Sequence, residues 1–450
     1  MSEAQYGTDR IGKTSAGVFV SNALGVVLSL ANSVFLTRTL GVVGRGEFAL
    51  FSASFGLLAL LLGLGLDSAI RYHTARSRIP ADRLLTSLIL FVLCAGGIVL
   101  GTAHANHTFF TNELFLPGSV QGLRHELLLA GVVMSSLFHT SISSVFAGHQ
   151  KFTALNISSV ALSAVSVLVF GVLFVLKQSG SWGGDTEDIF AAFLGLQLFG
   201  ALVMGVVGYR ILGLRWSSLL LDRALTVEML RYASLAYVAN LAQFLNYRVD
   251  IWIVQSLRGP EDLGLYSLAA NLAMMLWLLP RAASSVLMPA MAADGSDVSF
   301  HQAARVARIL TAMVILITVP VAALAGVWLP LLYGSDFAPS VTPLILLLLG
   351  SAPFALCIIQ AGVLGGMNRV DVNLKASLVG LVATIVLDFL LIPRYGIHGA
   401  AAASAVSYIL TTAVVTVAFA RIGSISVRST FLPEVADFQY IKNGLKSLLR

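Results

Sequence analysis

The sequence has 450 residues, of which 57% are hydrophobic and only 11% are charged, with a formal net charge of +6. Soluble domains carry about 25% charged residues, so this composition excludes a soluble globular protein as well as a disordered chain. Two cysteines in 450 residues also exclude a disulfide scaffold. The remaining class is a protein whose surroundings are largely lipid.

Apolar runs of helical length fill most of the chain. A transmembrane helix needs about 20 predominantly apolar residues, and the sequence contains twelve such runs. In chain order they cover residues 15–39, 46–70, 84–104, 126–147, 154–176, 189–210, 230–256, 263–288, 308–332, 341–366, 374–392 and 397–420. The pattern predicts an all-α polytopic membrane protein with about 12 transmembrane helices in two six-helix bundles.

The basic residues predict the orientation of these spans, because cytoplasmic loops are enriched in Lys and Arg. With both termini inside, 20 of the 28 basic residues fall in cytoplasmic segments and 6 fall outside. We therefore expect a multi-pass protein of the plasma membrane (the inner membrane in a bacterium). Its predicted parts are a cytoplasmic leader (1–14), an N-terminal lobe (15–212), a cytoplasmic linker (213–228), a C-terminal lobe (229–420) and a cytoplasmic tail (421–450) that can form an amphipathic helix.

The two halves resemble each other at a constant separation of 218 residues. The matching pairs are Asn22 with Asn240, Gly46–Leu50 with Gly264–Leu268, and Gly148–Lys151 with Gly366–Arg369. Because each half holds an even number of spans, the repeats have the same orientation and are related by an axis along the membrane normal. Transporters with repeats of this kind place the substrate path between the halves.

One motif near the start of the chain is misleading. Residues Gly7–Thr14 fit the phosphate-loop pattern G-x-x-x-x-G-K-[ST]. That loop binds phosphate only between a strand and a helix, whereas here six residues precede the motif and a membrane span follows it. We expect no nucleotide ligand and, because the positive charge is accounted for by topology, no nucleic-acid partner.

Polar side chains inside the spans are the strongest candidates for function, because each is costly in lipid and should face water, a partner or the bundle interior. Arg248 and Arg281 are predicted to line a water-filled cavity, where guanidinium groups would bind phosphate bidentately. Asp250 is the first candidate for ion coupling and Asp67 the second. The amides assigned to the same predicted substrate cavity are Asn22, Asn32, Asn240, Asn246 and Asn271.

Four other charged residues are assigned to gating or structural pairing, namely Arg38, Arg71, Asp388 and Arg394. Arg71 follows Asp67 by four residues and can share its helix face. Asp388 is predicted to lie near the outer end of its span, with Arg394 beyond it. The sequence contains no evident catalytic constellation or metal-ligand set, so we expect no resident metal or cofactor, only H⁺ or Na⁺ as a coupling ion.

A series of short segments has a familiar order and spacing. The segments are Leu36–Gly41, Gly46–Phe48, Gly65–Ala69, Gly264–Ala270, Leu332–Phe337 and, most specifically, Leu391–Ala401. They resemble the polysaccharide exporters, or oligosaccharide flippases, of the multidrug/oligosaccharidyl-lipid/polysaccharide superfamily. The resemblance implies a V-shaped, two-lobed transporter that moves polyprenyl-diphosphate-linked sugar units outward by alternating access. It also implies a cationic central cavity, which Arg248 and Arg281 would supply.

Three functions remain open at this point. The first is a flippase for a lipid-linked oligosaccharide, such as a polysaccharide or O-antigen repeat unit, driven by an ion gradient. The second is an ion-coupled exporter of drugs or metabolites. The third is a membrane polysaccharide polymerase or ligase, which the short outer loops disfavour, so we expect a protein that is not an enzyme. For the first function, membrane lipids and the glycosyltransferases or polymerase of the same pathway are candidate partners.

Overall fold

A computed structural model of the chain describes residues 3–75, 84–109, 123–213, 223–292, 300–432 and Asp437. Within these ranges the chain forms helices and no strand, which confirms the all-α prediction. The chain divides into two compact units, an N-terminal unit (Met1–Tyr237) and a C-terminal unit (Val238–Arg450).

Six of the described helices lie entirely within the N-terminal unit, which has an aromatic core. In that core Phe51 stacks on Phe190 with 4.6 Å between ring centroids. The helices are α1 (Glu3–Gly63), α2 (Leu66–Ala75), α3 (Leu84–Phe109), α4 (Leu123–Gly148), α5 (Phe152–Gln178) and α6 (Thr186–Leu212).

The C-terminal unit is built around the fully buried Trp277, whose ring lies 4.9 Å from that of Phe354 and 5.3 Å from that of Tyr408. A 3₁₀ turn at Ser335–Ser340 connects two of its helices. The remaining helices of the chain are α7 (Arg223–Met275), α8 (Leu278–Ala292), α9 (Phe300–Ala323), α10 (Ala325–Tyr333), α11 (Val341–Gly366), α12 (Val370–Tyr395), α13 (Ile397–Ile422) and α14 (Val427–Phe431).

The number of spans differs between the sequence and the structure. In the described part of the chain, eight helices are long and apolar enough to cross a membrane, or nine if one pair bent by 42° forms a single span. Part of the reason is that α1 holds one predicted run and most of the next, and α7 holds one run and the start of the next, each pair joined at a kink. In addition, the run at 84–104 lies in α3, where only a shorter apolar stretch, Ser87–Thr102, is found. The kinks lie at Gly41 (φ 70°) and Gly259 (φ 84°), a backbone conformation that favours glycine. The count of twelve therefore stays a prediction.

The backbone reproduces the repeat that the sequence predicts. The kink glycines Gly41 and Gly259 are 218 residues apart, and so are Gln150 (φ 56°) and Asn368 (φ 60°), two non-glycine residues in the left-handed region. Helices α4 and α11 begin at the same separation, as do α5 and α12. Because these four pairs share one separation, that offset aligns equivalent positions in the parts of the two units that they span.

Several predicted boundaries differ from the helices observed. Helix α1 begins at Glu3, within the predicted leader, and it includes the phosphate-loop motif, so this segment forms no phosphate-binding loop. The two compact units divide after Tyr237 rather than within residues 213–228. Residues 214–222 of that linker lie outside the described residues, as do residues 433–436 and 438–450 of the predicted tail, whose first part forms the end of α13 and the short helix α14. Asp437 pairs with Arg308 of α9, at 2.8 Å from Nη2 to Oδ1.

Candidate functional site

A buried polar network joins α7, α12 and α13 in the C-terminal unit. Its centre is Asn246, which is only 2% exposed. The hydroxyl of Thr384 donates to Asn246 Oδ1 at 3.2 Å, and the hydroxyl of Ser407 donates to the same oxygen at 2.9 Å. Gly380 allows this close approach, because a Cβ there would lie 2.6 Å from Asn246 Nδ2. Three helices thus meet around one amide group.

Two carboxylates lie in the same part of the unit. Asp250 is 2% exposed and follows Asn246 by one helical turn, so both residues share a face of α7. Its Oδ2 accepts hydrogen bonds from the Tyr266 hydroxyl and, at 3.1 Å, from the Ser404 hydroxyl. Asp388 is 0% exposed and interacts electrostatically with Asp250. Within the described residues, neither carboxylate oxygen of Asp388 has a hydrogen-bond partner.

The predicted cationic residues are also in the C-terminal unit. Arg248 is half-buried, and its Nη1 donates to Asn271 Oδ1 at 3.1 Å, across the kink in α7. Arg281 is exposed on α8, and its Cζ lies 5.6 Å from the centroid of the Trp277 ring. The structure therefore brings Arg248 and Asn271 together and places Arg281 against the aromatic core, a position in which a guanidinium is stabilised by the ring face.

Other predicted site residues lie apart from this network. Asn240 is exposed on α7. Asp67 is half-buried in the first turn of α2 and Arg71 is exposed, and in the part of the chain that the structure describes no ion pair joins the two. Asp67 belongs to the N-terminal unit, so it does not contribute to the buried pair around Asp250.

The residues assigned to gating or structural pairing lie in different surroundings. Arg394 is exposed at the C-terminal end of α12, whereas Asp388 is fully buried on the same helix. Arg394 follows Asp388 on the helix as the sequence predicts, and the two side chains have different surroundings. Their assignment to gating or structural pairing stays a prediction. Arg38 is exposed on α1, and the side chain of Asn22 lies outside the described residues.

A second polar site lies in the N-terminal unit. A cavity of about 380 Å³ is lined by α1, α4, α5 and α6, and the predicted residue Asn32 is part of its wall. The hydroxyl of Ser166 donates to Asn32 Oδ1 at 2.9 Å. At the separation of 218 residues, Asn32 corresponds to Asp250 and Ser166 corresponds to Thr384. The cavity and the buried network therefore occupy equivalent places in the two repeats.

The sequence interpretation missed the neutral members of both sites. In the C-terminal unit these are Thr384, Ser404 and Ser407, and in the N-terminal unit they include Ser166. Serine and threonine are common in transmembrane helices, where they hydrogen-bond to their own backbone, so their presence gives little signal. The repeat provides one signal for them, because Ser166 and Thr384 are both hydroxyl residues at equivalent positions.

Comparison with known proteins identifies the family. Residues 11–293, more than half of the chain, match the sequence profile of the family described as "Polysaccharide biosynthesis protein". Residues 236–390 also match the MatE family. These matches confirm the resemblance to polysaccharide exporters that the short segments indicate.

Similar proteins and solved structures agree with this family assignment. A probable low-salt glycan biosynthesis flippase of Haloferax volcanii is 21% identical over 414 residues, with 89% of this chain and 82% of the relative covered. A putative O-antigen transporter of Shigella flexneri is 20% identical over 427 residues, covering 92% and 98%. A lipid II flippase in an inward closed conformation has a TM-score of 0.69 at 15% identity, covering 92% and 88%, which shows a common fold.

The spans and these comparisons together make the protein a multi-pass membrane protein. With more than half of its length matched, the chain belongs to the polysaccharide biosynthesis protein family.

Proposed function

We propose that the protein is a flippase that moves a polyprenyl-diphosphate-linked oligosaccharide outward across the plasma membrane by alternating access. The family and the flippases and transporters among its relatives support this function over an enzymatic one. The distribution of basic residues supports cytoplasmic termini and therefore the inside as the loading side. Glycosyltransferases or a polymerase of the same pathway are the candidate partners.

The observation that carries the proposal is the pair of arginines within apolar helices. Arg248 is held by Asn271 and Arg281 by the Trp277 ring, so both guanidinium groups are positioned before a substrate arrives. An arginine in a membrane span is costly unless it faces water or an anion. A diphosphate supplies oxygen pairs that match the planar guanidinium. We assign these arginines to the diphosphate of the substrate.

We further propose that Asp250 and Asp388 take up the coupling ion. An ionised carboxylate without a partner is strongly disfavoured in a buried site, so Asp388 requires a proton or a cation. Carboxylate and hydroxyl oxygens suit a hard cation such as Na⁺. In the described residues no group of three or more His, Cys, Asp or Glu side chains could hold a metal ion, which favours H⁺ or Na⁺ over a divalent ion.

Uptake and release of this ion give a physical basis for coupling. With one ion bound at Asp388, that carboxylate is neutral, while Asp250 keeps the hydrogen bonds from Tyr266 and Ser404 and its electrostatic interaction with Arg248. Release would leave a charge buried without a partner, so the packing of α7 against α12 and α13 would become less stable. A rearrangement of these helices that admits water then becomes favourable.

The test uses the full chain in proteoliposomes that contain the lipid-linked oligosaccharide fraction of the organism's own membranes. We expect wild-type protein to move the oligosaccharide across the bilayer when an H⁺ or Na⁺ gradient is imposed. Arg248→Ala and Arg281→Ala should each abolish this movement without loss of protein. Normal transport by both variants would contradict the assignment of these arginines to the substrate. The matched control is Arg258→Ala, which removes only a surface ion pair with Asp262.

One observation favours a second candidate. The MatE match covers residues 236–390, which include both buried aspartates. An ion-coupled exporter of drugs or metabolites would use the same ion site with another substrate. Ethidium loaded into the same proteoliposomes distinguishes the two, because gradient-driven export of ethidium without movement of the oligosaccharide would favour the exporter.

A further inference from the structure

We propose that the cavity of the N-terminal unit is a binding subsite for the uncharged sugar portion of the lipid-linked substrate. This inference rests on the proposed flippase function and deepens it, because it separates recognition of the sugar from recognition of the diphosphate. The cavity has a volume of about 380 Å³, within the range of about 300–1,000 Å³ typical of small-molecule sites.

The first part of the evidence is a stripe of hydroxyl groups on α5. Ser159, Ser163 and Ser166 follow one another at intervals of four and three residues, so they lie on the same helix face, and all three line the cavity. From α1, Ser29 and Asn32 face the same space. This is an unusual concentration of polar groups for α5, whose 18-residue apolar window has a mean hydropathy of 2.6.

The second part comes from α4 and α6. His139 and Gln197 line the cavity, and His139 hydrogen-bonds to the backbone of Gly200. Gly200 itself borders the cavity and leaves space there, because an added Cβ would lie 3.3 Å from Leu162 and 3.5 Å from His139 Nδ1. Four helices therefore contribute donors and acceptors to one volume.

Aromatic rings close part of the cavity wall. Phe48, Phe170 and Phe193 line it, and Phe48 meets Phe193 edge to face with 5.4 Å between ring centroids. A sugar ring presents hydroxyl groups around its edge and C–H groups on its faces. Hydrogen-bonding groups beside apolar aromatic surfaces match both features.

The charge of the lining defines the class of ligand. None of the described residues that line the cavity is Asp, Glu, Lys or Arg. A diphosphate or a metal ion would lack a counter-charge there, whereas a neutral ligand with many hydroxyl groups can satisfy the polar lining. The repeat sharpens the contrast, because Asn32 and Phe170 occupy the positions of Asp250 and Asp388.

The test measures binding to the full chain in lipid nanodiscs by native mass spectrometry. Two probes are compared: the lipid-linked oligosaccharide fraction of the organism's membranes, and bare polyprenyl diphosphate. If a few hydrogen bonds to the sugar contribute, wild-type protein should bind the sugar-bearing probe about tenfold more tightly than the bare one. Gln197→Leu, which removes a polar group, and Gly200→Leu, which fills the cavity, should both abolish this preference and leave binding of the bare probe unchanged.

The control is Gly195→Leu on the same helix, where an added Cβ meets nothing within 4 Å. This variant should retain the wild-type preference. If Gln197→Leu retains the preference, or if wild-type protein binds both probes equally, the sugar subsite is wrong while the flippase proposal stands. If wild-type protein binds neither probe, the proposed function fails and the subsite with it.

Discussion

The two units of the molecule share kinks, turns and helix starts at one separation but have different chemistry at equivalent positions. Where the C-terminal unit has the carboxylates Asp250 and Asp388, the N-terminal unit has the amide of Asn32 and the ring of Phe170. The carboxylates are almost completely buried, whereas Asn32 is half-buried and borders a cavity. The comparison teaches that one helical scaffold supports a closed, charged site in one repeat and an open, neutral site in the other.

The largest effect is expected at the closed site. Asp388→Asn keeps the size of the side chain but removes the group that takes up an ion, so gradient-driven transport should fall by about a hundredfold or more. The protein should remain folded, because the variant buries no additional charge. Transport in proteoliposomes measures the effect, and Asp371→Asn on the same helix, a partly exposed residue paired with Arg369, is the control. Wild-type transport by Asp388→Asn would remove Asp388 from the coupling site.

An intermediate effect is expected when the open site is made to resemble the closed one. Asn32→Asp introduces a carboxylate at the position equivalent to Asp250, within a lining suited to a neutral ligand. Because the charge must be partly desolvated when a sugar binds, we expect the affinity for the sugar-bearing probe to fall about fivefold. Native mass spectrometry measures the change. The same substitution at the exposed turn residue Asn368 should have no effect, and an unchanged affinity for Asn32→Asp would argue against a neutral subsite.

The smallest effects are expected on the free energy of unfolding when one hydroxyl group is removed from each site. Ser407→Ala removes a donor to the buried Asn246, and water cannot replace it, so the free energy of unfolding should fall by about 1–3 kcal/mol. Ser166→Ala removes a donor to Asn32 beside a cavity, where water can substitute, and should cost about 0.5–1.5 kcal/mol or less. Thermal denaturation of the full chain in detergent measures both. Equal losses in the free energy of unfolding would mean that water is excluded equally from the two sites, which contradicts the comparison.

The sequence predicts the charged half of this comparison well. Arg248, Asp250 and Asn271 stand out because polar residues are rare in apolar spans, and the structure joins Arg248 to Asn271. It does not predict that Asp388 interacts electrostatically with Asp250, because hydropathy locates a residue along a helix but not the helix that packs against it. Arg394, six residues further along the same helix, is exposed.

The backbone kinks and the neutral cavity are harder to predict. With 40 glycines in the chain, nothing in the sequence distinguishes Gly41 and Gly259 as kink positions until they are aligned through the repeat. The serines of α5 are similarly inconspicuous, since each one costs little in a span and only their common direction creates a site. Most of the fold class therefore follows from composition, whereas the sites depend on packing.

The most direct test of the division between the two units measures two properties of the same two variants. Gradient-driven transport and the preference for sugar-bearing over bare polyprenyl diphosphate are determined for Asp388→Asn and for Gln197→Leu. We expect Asp388→Asn to lose the response to the gradient and keep the preference for sugar, and Gln197→Leu to lose the preference and keep a response to the gradient. If both variants lose the same property, or if each loses the one assigned to the other unit, the division between a charged coupling site and a neutral sugar site is contradicted.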